Sequence, residues 1–435
     1  MEGESSLKIF GMEPEKGRWV FVVVGMLIQL CLGAIYAYSI LSVPLKKLFE
    51  SPIESGGFGL TVSATTMQIP YIVFLLVFAL TMPLIGKYIE KFGPKMMGIT
   101  GGVLTGTGWI LASFVTQPLT LALVYGIIGG LGVGIAYNCP ITTSARWFPD
   151  RRGVAVGLTV LGFGFSAALT GPIADFLTVN YGGILSTFRI LGIVFLLLVV
   201  ALSTLLIFPP AGWSPRGWSP PAPTPGVAVR SEFSRGEMAK TSTFYGLWIC
   251  YTIGTLAGLM AIGVSKFVGL EVASRAGMEG VAASALMTSL IIPFAFCNGF
   301  GRPLFGWLTD KFTAMKAAVL SYSLILFASL LIYAFSSSIS AYIVSFILLW
   351  LCLGGWLAIA PTVTGSFFGT KDYARNYGLV FTAYGAGAVI GNVLAGQAKD
   401  LFGAYVSVFP IIAGLSIIGA IIAILLLRPP HKTAQ

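Results

Sequence analysis

The chain has 435 residues, of which 56% are hydrophobic and only 10% are charged, whereas soluble domains carry about 25% charged residues. This composition excludes an ordinary soluble enzyme or binding domain and indicates a membrane protein with many spans. The net charge of +10 would suit a nucleic-acid partner. The basic residues follow the expected membrane topology instead, so we predict no nucleic-acid binding.

Twelve apolar runs of about 20 residues predict twelve transmembrane helices in an all-α fold. They begin near residues 19, 62, 97, 118, 153, 186, 243, 281, 315, 340, 377 and 404. With both termini in the cytoplasm, the cytoplasmic segments hold 19 of the 26 Lys and Arg, the opposite side holds six, and Arg302 lies within a span. This is the positive-inside bias. The first residues lack the pattern of a cleaved signal, so we expect span 1 to stay in the membrane.

Cysteine and histidine form no recognisable metal site or catalytic cluster. All five cysteines fall within predicted spans, and the single histidine, His431, lies in the C-terminal tail. No disulfide framework or metal-ligand spacing follows from these positions. We therefore predict no cofactor, no metal site and no enzymatic activity.

Two loops repeat the same pattern 220 residues apart. PLIGKYIEKFGPK begins at Pro83, and PLFGWLTDKF begins at Pro303. At a shift of 221, AYNCP of span 4 matches LAIAP of span 10, and the start of span 5 matches that of span 11. Such repeats are typical of secondary transporters, whose two bundles enclose a site near the midplane. We predict six-helix bundles over residues 1–208 and 241–435, joined by an extended, proline-rich cytoplasmic linker over 209–240.

The repeated loop carries a glycine and an acid in each half. Gly86 and Gly306 permit close helix approach, and Glu90 and Asp310 can pair with a basic residue or cap a helix across the seam between the bundles. Such contacts would form on the cytoplasmic side when the site faces outward and break when it faces inward. The alternative is that these charges only anchor the loops at the membrane surface.

Span 8 carries a charge near the middle of the membrane. Arg302 lies eight residues before Asp310, which is roughly 12 Å from the charged end of the span. A guanidinium at that depth costs about 2.5–3.5 kcal/mol on insertion scales. Either it snorkels to the interface or pairs with a neighbour, or it faces a water-filled cavity and binds a carboxylate with its planar fork. An intramembrane charge favours the functional alternative.

Polar and aromatic residues near the middle of other spans are the candidate neighbours of Arg302. Asn298 lies one helical turn away on the same face. In span 4, Tyr137 and Asn138 precede Pro140, and a proline can free a backbone carbonyl. The remaining candidates, each of which could instead serve packing alone, are Tyr36, Tyr38, Trp356 and Tyr384.

The repeated loops, twelve spans and central linker resemble the major facilitator superfamily. Within it, WFPDRRGVAVGLTVLGFGFS, from Trp147 to Ser166, resembles a loop and helix of monocarboxylate transporters and bacterial oxalate/formate antiporters. We predict that the basic pair of this motif, Arg151 and Arg152, also takes part in gating. NGFGRP, from Asn298 to Pro303, is similar to the place where both groups carry their substrate-binding arginine.

The chain departs from both groups at particular positions. Oxalate transporters carry a lysine in helix 11 where the resemblance puts Tyr384. One buried cation favours one carboxylate, as in lactate, pyruvate, acetate or formate, over oxalate. Animal monocarboxylate transporters carry an aspartate and a lysine, both tied to proton coupling, where Asn298 and Ile40 stand. The resemblance therefore does not supply their proton route, and anion exchange stays open.

These features together predict a secondary transporter of small monocarboxylates that works by alternating access, with the carboxylate bound to Arg302. The alternatives are an oxalate/formate-type antiporter and a sensor with a transporter fold, and measurable flux would separate carrier from sensor. We expect a monomer in contact with membrane lipid, with protons or a counter-anion as the coupled species. The resemblance to the bacterial group implies the plasma membrane of a prokaryote.

Overall fold

Helices account for nearly all of the regular structure. The computed structural model describes residues 8–210, 212–217, 232–369 and 371–430. Within these ranges the extended pairing is limited to a single bridge between Ile9 and Met12. Eleven of the described helices are long and apolar enough to cross a membrane, so the chain is a multi-pass membrane protein.

The longest of these helices, Ala64–Ala112, comprises two spans. Its 49 residues would make a rod of about 74 Å, more than twice the ~30 Å thickness of the hydrocarbon core. Gly93 interrupts the helix with a φ of 79°, a conformation that favours glycine because it has no Cβ. The chain turns back at Gly93, and the prediction of twelve spans is confirmed.

We number the spans in chain order. They are α1 (Pro14–Glu50), α2 (64–92), α3 (94–112), α4 (Pro118–Trp147), α5 (Arg152–Asn180), α6 (Gly183–Ser203), α7 (Ser242–Arg275), α8 (Gly280–Lys311), α9 (Ala314–Ala334), α10 (Ile339–Phe368), α11 (Tyr373–Phe402) and α12 (Tyr405–Leu426). Their starts lie within a few residues of those predicted from apolar length. The first six spans form one bundle, and the last six form the other.

Polar residues fix where several spans begin. The side-chain oxygens of Ser63, Thr241, Thr313 and Ser338 each accept a hydrogen bond from the backbone N–H three residues further on, at the starts of α2, α7, α9 and α10. The first four N–H groups of a helix have no partner within the helix. Each of these caps satisfies one of them.

Two of the spans are irregular in their interior. α1 tightens into a 3₁₀ turn over Gly33–Ala37, where a Cβ on Gly33 would lie 2.5 Å from the carbonyl oxygen of Phe163 on α5. α4 contains a π-helical stretch over Ala122–Gly129. Such departures from α-helical geometry are frequent at functional sites. The turn in α1 carries Tyr36, one of the predicted site residues.

The most extensive contacts between the bundles are those of α5 with α8 and of α2 with α11. A Cβ on Gly164 of α5 would lie 2.8 Å from the Cα of Gly299 on α8. A Cβ on Gly385 of α11 would likewise lie 2.8 Å from the Cβ of Ala79 on α2. A side chain at either position would clash at such a distance. The backbones can approach this closely because a glycine lies at each crossing. We call this contact region the seam.

The N-terminal end of α1 and part of the linker meet at one end of the protein, which we call the terminal face. Arg18 donates to both carboxylate oxygens of Asp150 at 2.6 and 2.9 Å and to the carbonyl of Trp147 at 3.0 Å. Trp213 of the linker packs edge-on against Trp147, with ring centroids 4.8 Å apart. These contacts bring together the start of α1, the loop between α4 and α5, and the linker. We call the other end the opposite face.

Part of the predicted linker, residues 209–240, lies outside the described residues, and so does His431. Its last part forms one helical turn, Arg235–Met238, rather than the extended chain that its prolines predicted. Just before this turn, the amide of Phe233 donates to the carbonyl of Phe368 at the end of α10, at 3.0 Å. The end of the linker is therefore bound to the second bundle.

Candidate substrate-binding site

Arg302 is buried between the two bundles. The residue is 6% exposed, and none of the described ion pairs includes it. Its Nη1 donates to the carbonyl of Val160 on α5 at 2.7 Å, while Nε and Nη2 have no hydrogen-bond partner among the described residues. The guanidinium thus reaches from the second bundle to the first and keeps one edge free. A free Nε and Nη2 can hold a carboxylate through two parallel hydrogen bonds.

A narrow space lies against Arg302. Its other lining residues come from both bundles and are Tyr36, Phe78, Tyr137, Phe163, Leu357, Phe381 and Tyr384. The space is constricted and does not admit a sphere the size of a water molecule. We call this lining the aromatic cage. It contains four of the eight predicted binding residues, namely Arg302, Tyr36, Tyr137 and Tyr384.

Contacts among the rings hold the aromatic cage in place. The Oη atoms of Tyr36 on α1 and Tyr384 on α11 are 2.9 Å apart, so the two bundles share a hydrogen bond here. Phe163 packs edge-on against Tyr36 and Tyr137, with centroid distances of 5.0 and 5.3 Å. Phe381 stacks on Tyr384 at 4.9 Å. Apart from the guanidinium, the polar side-chain atoms of the cage are therefore tyrosine hydroxyls on well-packed rings.

The two predicted asparagines lie outside this lining. The Nδ2 of Asn298 donates to the carbonyl of Trp350 on α10 at 3.1 Å. The Nδ2 of Asn138 lies 3.3 Å from the sulfur of Met82 on α2. In this conformation Asn298 therefore joins α8 to α10, and Asn138 joins α4 to α2. Neither shares a described hydrogen bond with Arg302.

Tyr38 and Trp356 also lie outside the lining. The hydroxyl of Tyr38 donates to the carbonyl of Met67 at 2.5 Å, and its ring stacks on that of Tyr71 with centroids 5.1 Å apart. The indole of Trp356 packs beside the ring of Tyr322 at 5.3 Å. Both side chains are held by residues of their own bundle.

Sequence reasoning did not single out the apolar members of the cage, Phe78, Phe163, Leu357 and Phe381. In spans that are apolar on every side, a phenylalanine that faces cargo is not distinguished by its pattern from one that packs. The signal that could have identified these residues was their helical spacing from a polar candidate. Phe381, for example, lies three residues before Tyr384 and so on the same helix face.

The predicted glycines and acids of the repeated loops lie at the terminal face. The acids make no described ion pair across the seam. Arg146 pairs with Glu90 of the same bundle, with Nη2 3.4 Å from Oε1. A Cβ on Gly86 would meet nothing within 4 Å, and one on Gly306 would meet only the Cβ of Ala358, at 3.9 Å. The glycines therefore face open space in this conformation.

The other predicted gating residues are similarly exposed to solvent or weakly paired. Asp310 and Arg152 take part in none of the described ion pairs. The Nε of Arg151 lies 3.9 Å from Oδ2 of Asp150, and the side chain of Arg151 is 66% exposed. Within the described chain, the terminal face thus has no ion pair that joins the two bundles.

The opposite face, by contrast, is closed by a partly buried ion pair. Lys266 Nζ on α7 donates to Asp175 Oδ1 on α5 at 2.9 Å and to Thr288 Oγ1 on α8 at 2.8 Å. Thr288 Oγ1 in turn donates to Asp175 Oδ1 at 3.2 Å. The side chains of Lys266 and Asp175 are 2% and 32% exposed. We call these three residues the latch, because Asp175 belongs to the first bundle and the other two belong to the second.

A second contact closes the same face. Asp400 of α11 accepts hydrogen bonds from the backbone N–H groups of Ala64 and Thr65, at 2.7 and 3.0 Å, and from the hydroxyl of Thr65 at 2.7 Å. A carboxylate is favoured at a helix N-terminus by the free amides and the helix dipole. This contact joins the bundles at α2 and α11, as the latch joins them at α5, α7 and α8.

The site has a buried cation between two bundles. An ion pair joins the bundles at the opposite face, whereas the described chain has no such pair at the terminal face. This arrangement is typical of membrane transporters, which bind their cargo between two halves. The described residues contain no group of three or more side chains that could hold a metal ion. The polar chemistry of the site is thus that of the guanidinium and the tyrosine hydroxyls.

The sequence profile of the Major Facilitator Superfamily matches residues 25–292 and 268–435, and the chain belongs to that superfamily. The oxalate:formate antiporter of Oxalobacter formigenes is 27% identical over 393 residues, which cover 89% of this chain and 86% of that protein. Monocarboxylate transporter 13 of Bos taurus is 24% identical over 424 residues, which cover 96% and 91%. The resemblance to these two groups is confirmed.

Among solved structures, a bacterial homolog of the human lysosomal transporter Spinster, in an inward-facing and unoccupied conformation, matches this chain with a TM-score of 0.64. The match covers 94% of this chain and 95% of that one at 14% identity. It confirms the fold of two six-helix bundles. The homologues and the fold are those of transporters and not of enzymes.

Proposed function

We propose that this protein is a secondary active transporter of small monocarboxylates, of the lactate, pyruvate, acetate or formate type, whose carboxylate binds Arg302. The observation that carries the proposal is the free Nε and Nη2 edge of a buried guanidinium that has no described acidic partner. A carboxylate on this edge would receive two charge-assisted hydrogen bonds. The names of two relatives, an oxalate:formate antiporter and a monocarboxylate transporter, support an organic acid as the cargo.

The surroundings of Arg302 favour a short acid with one carboxylate. Arg302 is the single cation of the cage, and the resemblance to oxalate transporters puts Tyr384 where they carry a lysine in helix 11. One guanidinium neutralises one carboxylate. The aromatic walls suit a short aliphatic chain, and the hydroxyls of Tyr36 and Tyr137 can donate to a second oxygen, such as the keto group of pyruvate.

An antiporter of the oxalate/formate type is the second candidate, and the relative from Oxalobacter formigenes favours it. Formate has one carboxylate, as lactate does, and therefore also matches the single guanidinium of the cage. Oxalate would leave its second carboxylate against aromatic rings, where an unpaired charge is costly to bury. Competition between acetate, lactate and oxalate in counterflow separates monocarboxylate transport from dianion exchange.

Charge compensation explains why binding promotes movement. The empty carrier keeps an unpaired guanidinium out of water, which is unfavourable, and a bound carboxylate neutralises it. The loaded carrier therefore passes through the occluded state more readily than the empty one. Residues 1–208 and 241–435 rock about the seam and expose the site to each face in turn. The latch and Asp400 gate the opposite face, and the repeated glycine and acid loops gate the terminal face.

We assign the terminal face to the cytoplasm, because the segments that reach it hold most of the Lys and Arg. The cargo then enters or leaves the cell across the opposite face. The host membrane in this proposal is the plasma membrane of a prokaryote, and the working unit is a monomer. The coupled species is a proton or a counter-anion, and a pH jump on loaded proteoliposomes distinguishes the two.

Uptake of radiolabelled lactate and formate into proteoliposomes tests the proposal. The wild type is expected to take up at least one of these acids, and Arg302→Ala is expected to lose that uptake. Arg189→Ala is the matched control, because Arg189 lies in α6 and bonds Ser113 rather than the cage, and it should retain uptake. Unchanged uptake by Arg302→Ala would remove Arg302 from the mechanism. Binding without flux in the wild type would favour the sensor.

A further inference from the structure

A second group of polar side chains lies between the aromatic cage and the opposite face. On α2, Gln68 and Tyr71 come ten and seven residues before Phe78 of the cage. On α11, Asn392 comes eight residues after Tyr384. At 1.5 Å per residue these positions are about 10–15 Å from the cage in the direction of the opposite face. We call Gln68, Tyr71 and Asn392 the outer cluster.

The outer cluster is fully buried and largely unpaired. All three residues are 0% exposed. The Oε1 and Nε2 of Gln68, the Oη of Tyr71 and the Oδ1 of Asn392 have no hydrogen-bond partner among the described residues. The Nδ2 of Asn392 donates within its own helix, to the carbonyl of Ala388 at 2.9 Å. Since roughly nine in ten buried polar groups are hydrogen-bonded, four unpaired atoms in one place indicate a role other than packing.

The outer cluster converges on a glycine of α7. A Cβ on Gly263 would collide with the Oδ1 of Asn392, and it would lie 3.2 Å from the Oε1 of Gln68 and 3.0 Å from the Cε1 of Tyr71. The two amides and the tyrosine ring therefore surround one point of α7. Because α2 belongs to the first bundle and α7 and α11 to the second, the cluster spans the seam. Rocking of the bundles would open and close it.

Two tyrosines of the cage lie beside the guanidinium and join the bundles. The contact between the hydroxyls of Tyr36 and Tyr384, at 2.9 Å, crosses the seam between the two groups. A carboxylate that enters from the opposite face would meet the neutral donors first, then this tyrosine contact, and the cation last.

We propose that the outer cluster is a neutral subsite that binds the substrate carboxylate between the opposite face and Arg302. The Nε2 of Gln68 and the Oη of Tyr71 are donors to the carboxylate, and the Oδ1 of Asn392 accepts from a substrate hydroxyl such as that of lactate. Neutral donors bind a carboxylate less tightly than a guanidinium does, so the subsite passes its cargo on to Arg302. This inference rests on the proposed function.

Exchange kinetics measured separately from each face test the subsite. Gln68→Met and Asn392→Leu keep most of the side-chain volume and remove the polar atoms. Right-side-out and inside-out membrane vesicles, loaded with saturating lactate, give the half-saturating lactate concentration at each face. We expect the value at the opposite face to rise about tenfold, as the loss of one or two neutral hydrogen bonds implies. The value at the terminal face should change by less than about twofold, because that route does not use the cluster.

Ser345→Ala is the matched control, since it removes another fully buried, unpaired hydroxyl, on α10, and it should change neither value. Melting temperatures report on folding, and Gln68→Met, which removes only unpaired polar atoms, should not lower them. Half-saturating concentrations in Gln68→Met and Asn392→Leu that match the wild type, or that rise equally at both faces, would overturn the subsite and leave the proposed function intact. Absence of exchange in the wild type would overturn both.

Discussion

Breaking the latch should open the opposite face. Asp175→Asn keeps the shape of the side chain and removes its charge. The ammonium of Lys266, whose side chain is 2% exposed, then has no described counter-charge and faces the hydroxyl of Thr288 and a neutral amide oxygen. An uncompensated buried charge destabilises the conformation that buries it. The conformation closed at the opposite face should therefore lose stability relative to the open one, in which Lys266 reaches water.

The exposures of the two side chains set the size of the effect. Removing one partner of a fully buried pair costs about 3–5 kcal/mol. Asp175 is 32% exposed, however, and solvent screening reduces the worth of such a pair. We therefore expect about 1–2 kcal/mol, or a roughly 5- to 30-fold change in the ratio of open to closed protein. Asp175→Asn with Lys266→Met should shift the ratio less than Asp175→Asn alone, because no charge is then left unpaired.

Spin labels at the exposed positions Glu54 and Ala276 report this opening, because they lie in loops of different bundles at the opposite face. Double electron–electron resonance should show a long-distance population that is smallest in the wild type, larger in the double variant and largest in Asp175→Asn. Lys46→Met is the control, since it breaks a partly exposed pair with Glu50 within α1. Equal distance distributions in wild type and Asp175→Asn would refute the reasoning, as would a larger shift in the double variant.

Two further predictions concern the terminal face and the helix packing. The hydrogen-bonded guanidinium of Arg18 holds the pKa of the Asp150 carboxyl below its usual value, so this pair stabilises the fold above about pH 4 and the stability is lost as pH falls through the lowered pKa. A plot of melting temperature against pH should accordingly be flatter on its acid side in Asp150→Asn, and an unchanged plot would contradict this. Gly354→Ala should lower the melting temperature, because its Cβ would collide with the carbonyl of Asn298 and overpacking costs about 1–3 kcal/mol. Gly86→Ala, whose Cβ meets nothing within 4 Å, should melt like the wild type, and equal melting of the two glycine variants would speak against the packing.

The membrane architecture could be predicted because the bilayer imposes a direct requirement on apolar length. That requirement separated α2 from α3, although their helices are continuous apart from the turn at Gly93. The burial of Arg302 followed from the same physics, since a charge deep within a span is costly and is kept there for a reason. Whether that charge was paired with an acid depended on the fold.

The direction of each side chain could not be predicted in spans that are buried on all sides. Tyr36 and Tyr38 are two residues apart and therefore lie on different faces of the helix, and Tyr36 is the one that lines the aromatic cage. The 3₁₀ turn over Gly33–Ala37 changes the angle between successive side chains just before Tyr38. The backbone of α5 approaches this turn closely at Gly33, a tertiary contact that the pattern along one helix does not contain.

The latch was missed for a different reason. Counting apolar runs of about 20 residues ended span 7 early, so Lys266 was one of the six Lys and Arg assigned to the opposite side. In the structure α7 has 34 residues and reaches Arg275, so Lys266 lies within the helix and is buried. The partner Asp175 similarly lies inside α5. A window of minimal length underestimates helices that extend beyond the hydrocarbon core, and it hides charges placed near their ends.

The central claim is that the guanidinium of Arg302 holds the carboxylate of the cargo. Calorimetric titration of detergent-solubilised wild type and Arg302→Gln with lactate tests it most directly. The variant loses two charge-assisted hydrogen bonds worth about 1.5–3 kcal/mol each, so its affinity should fall by about a hundredfold or more. Without lactate it should melt no lower than the wild type, because an unpaired buried charge is gone. Lactate binding by Arg302→Gln at the wild-type affinity would contradict the account.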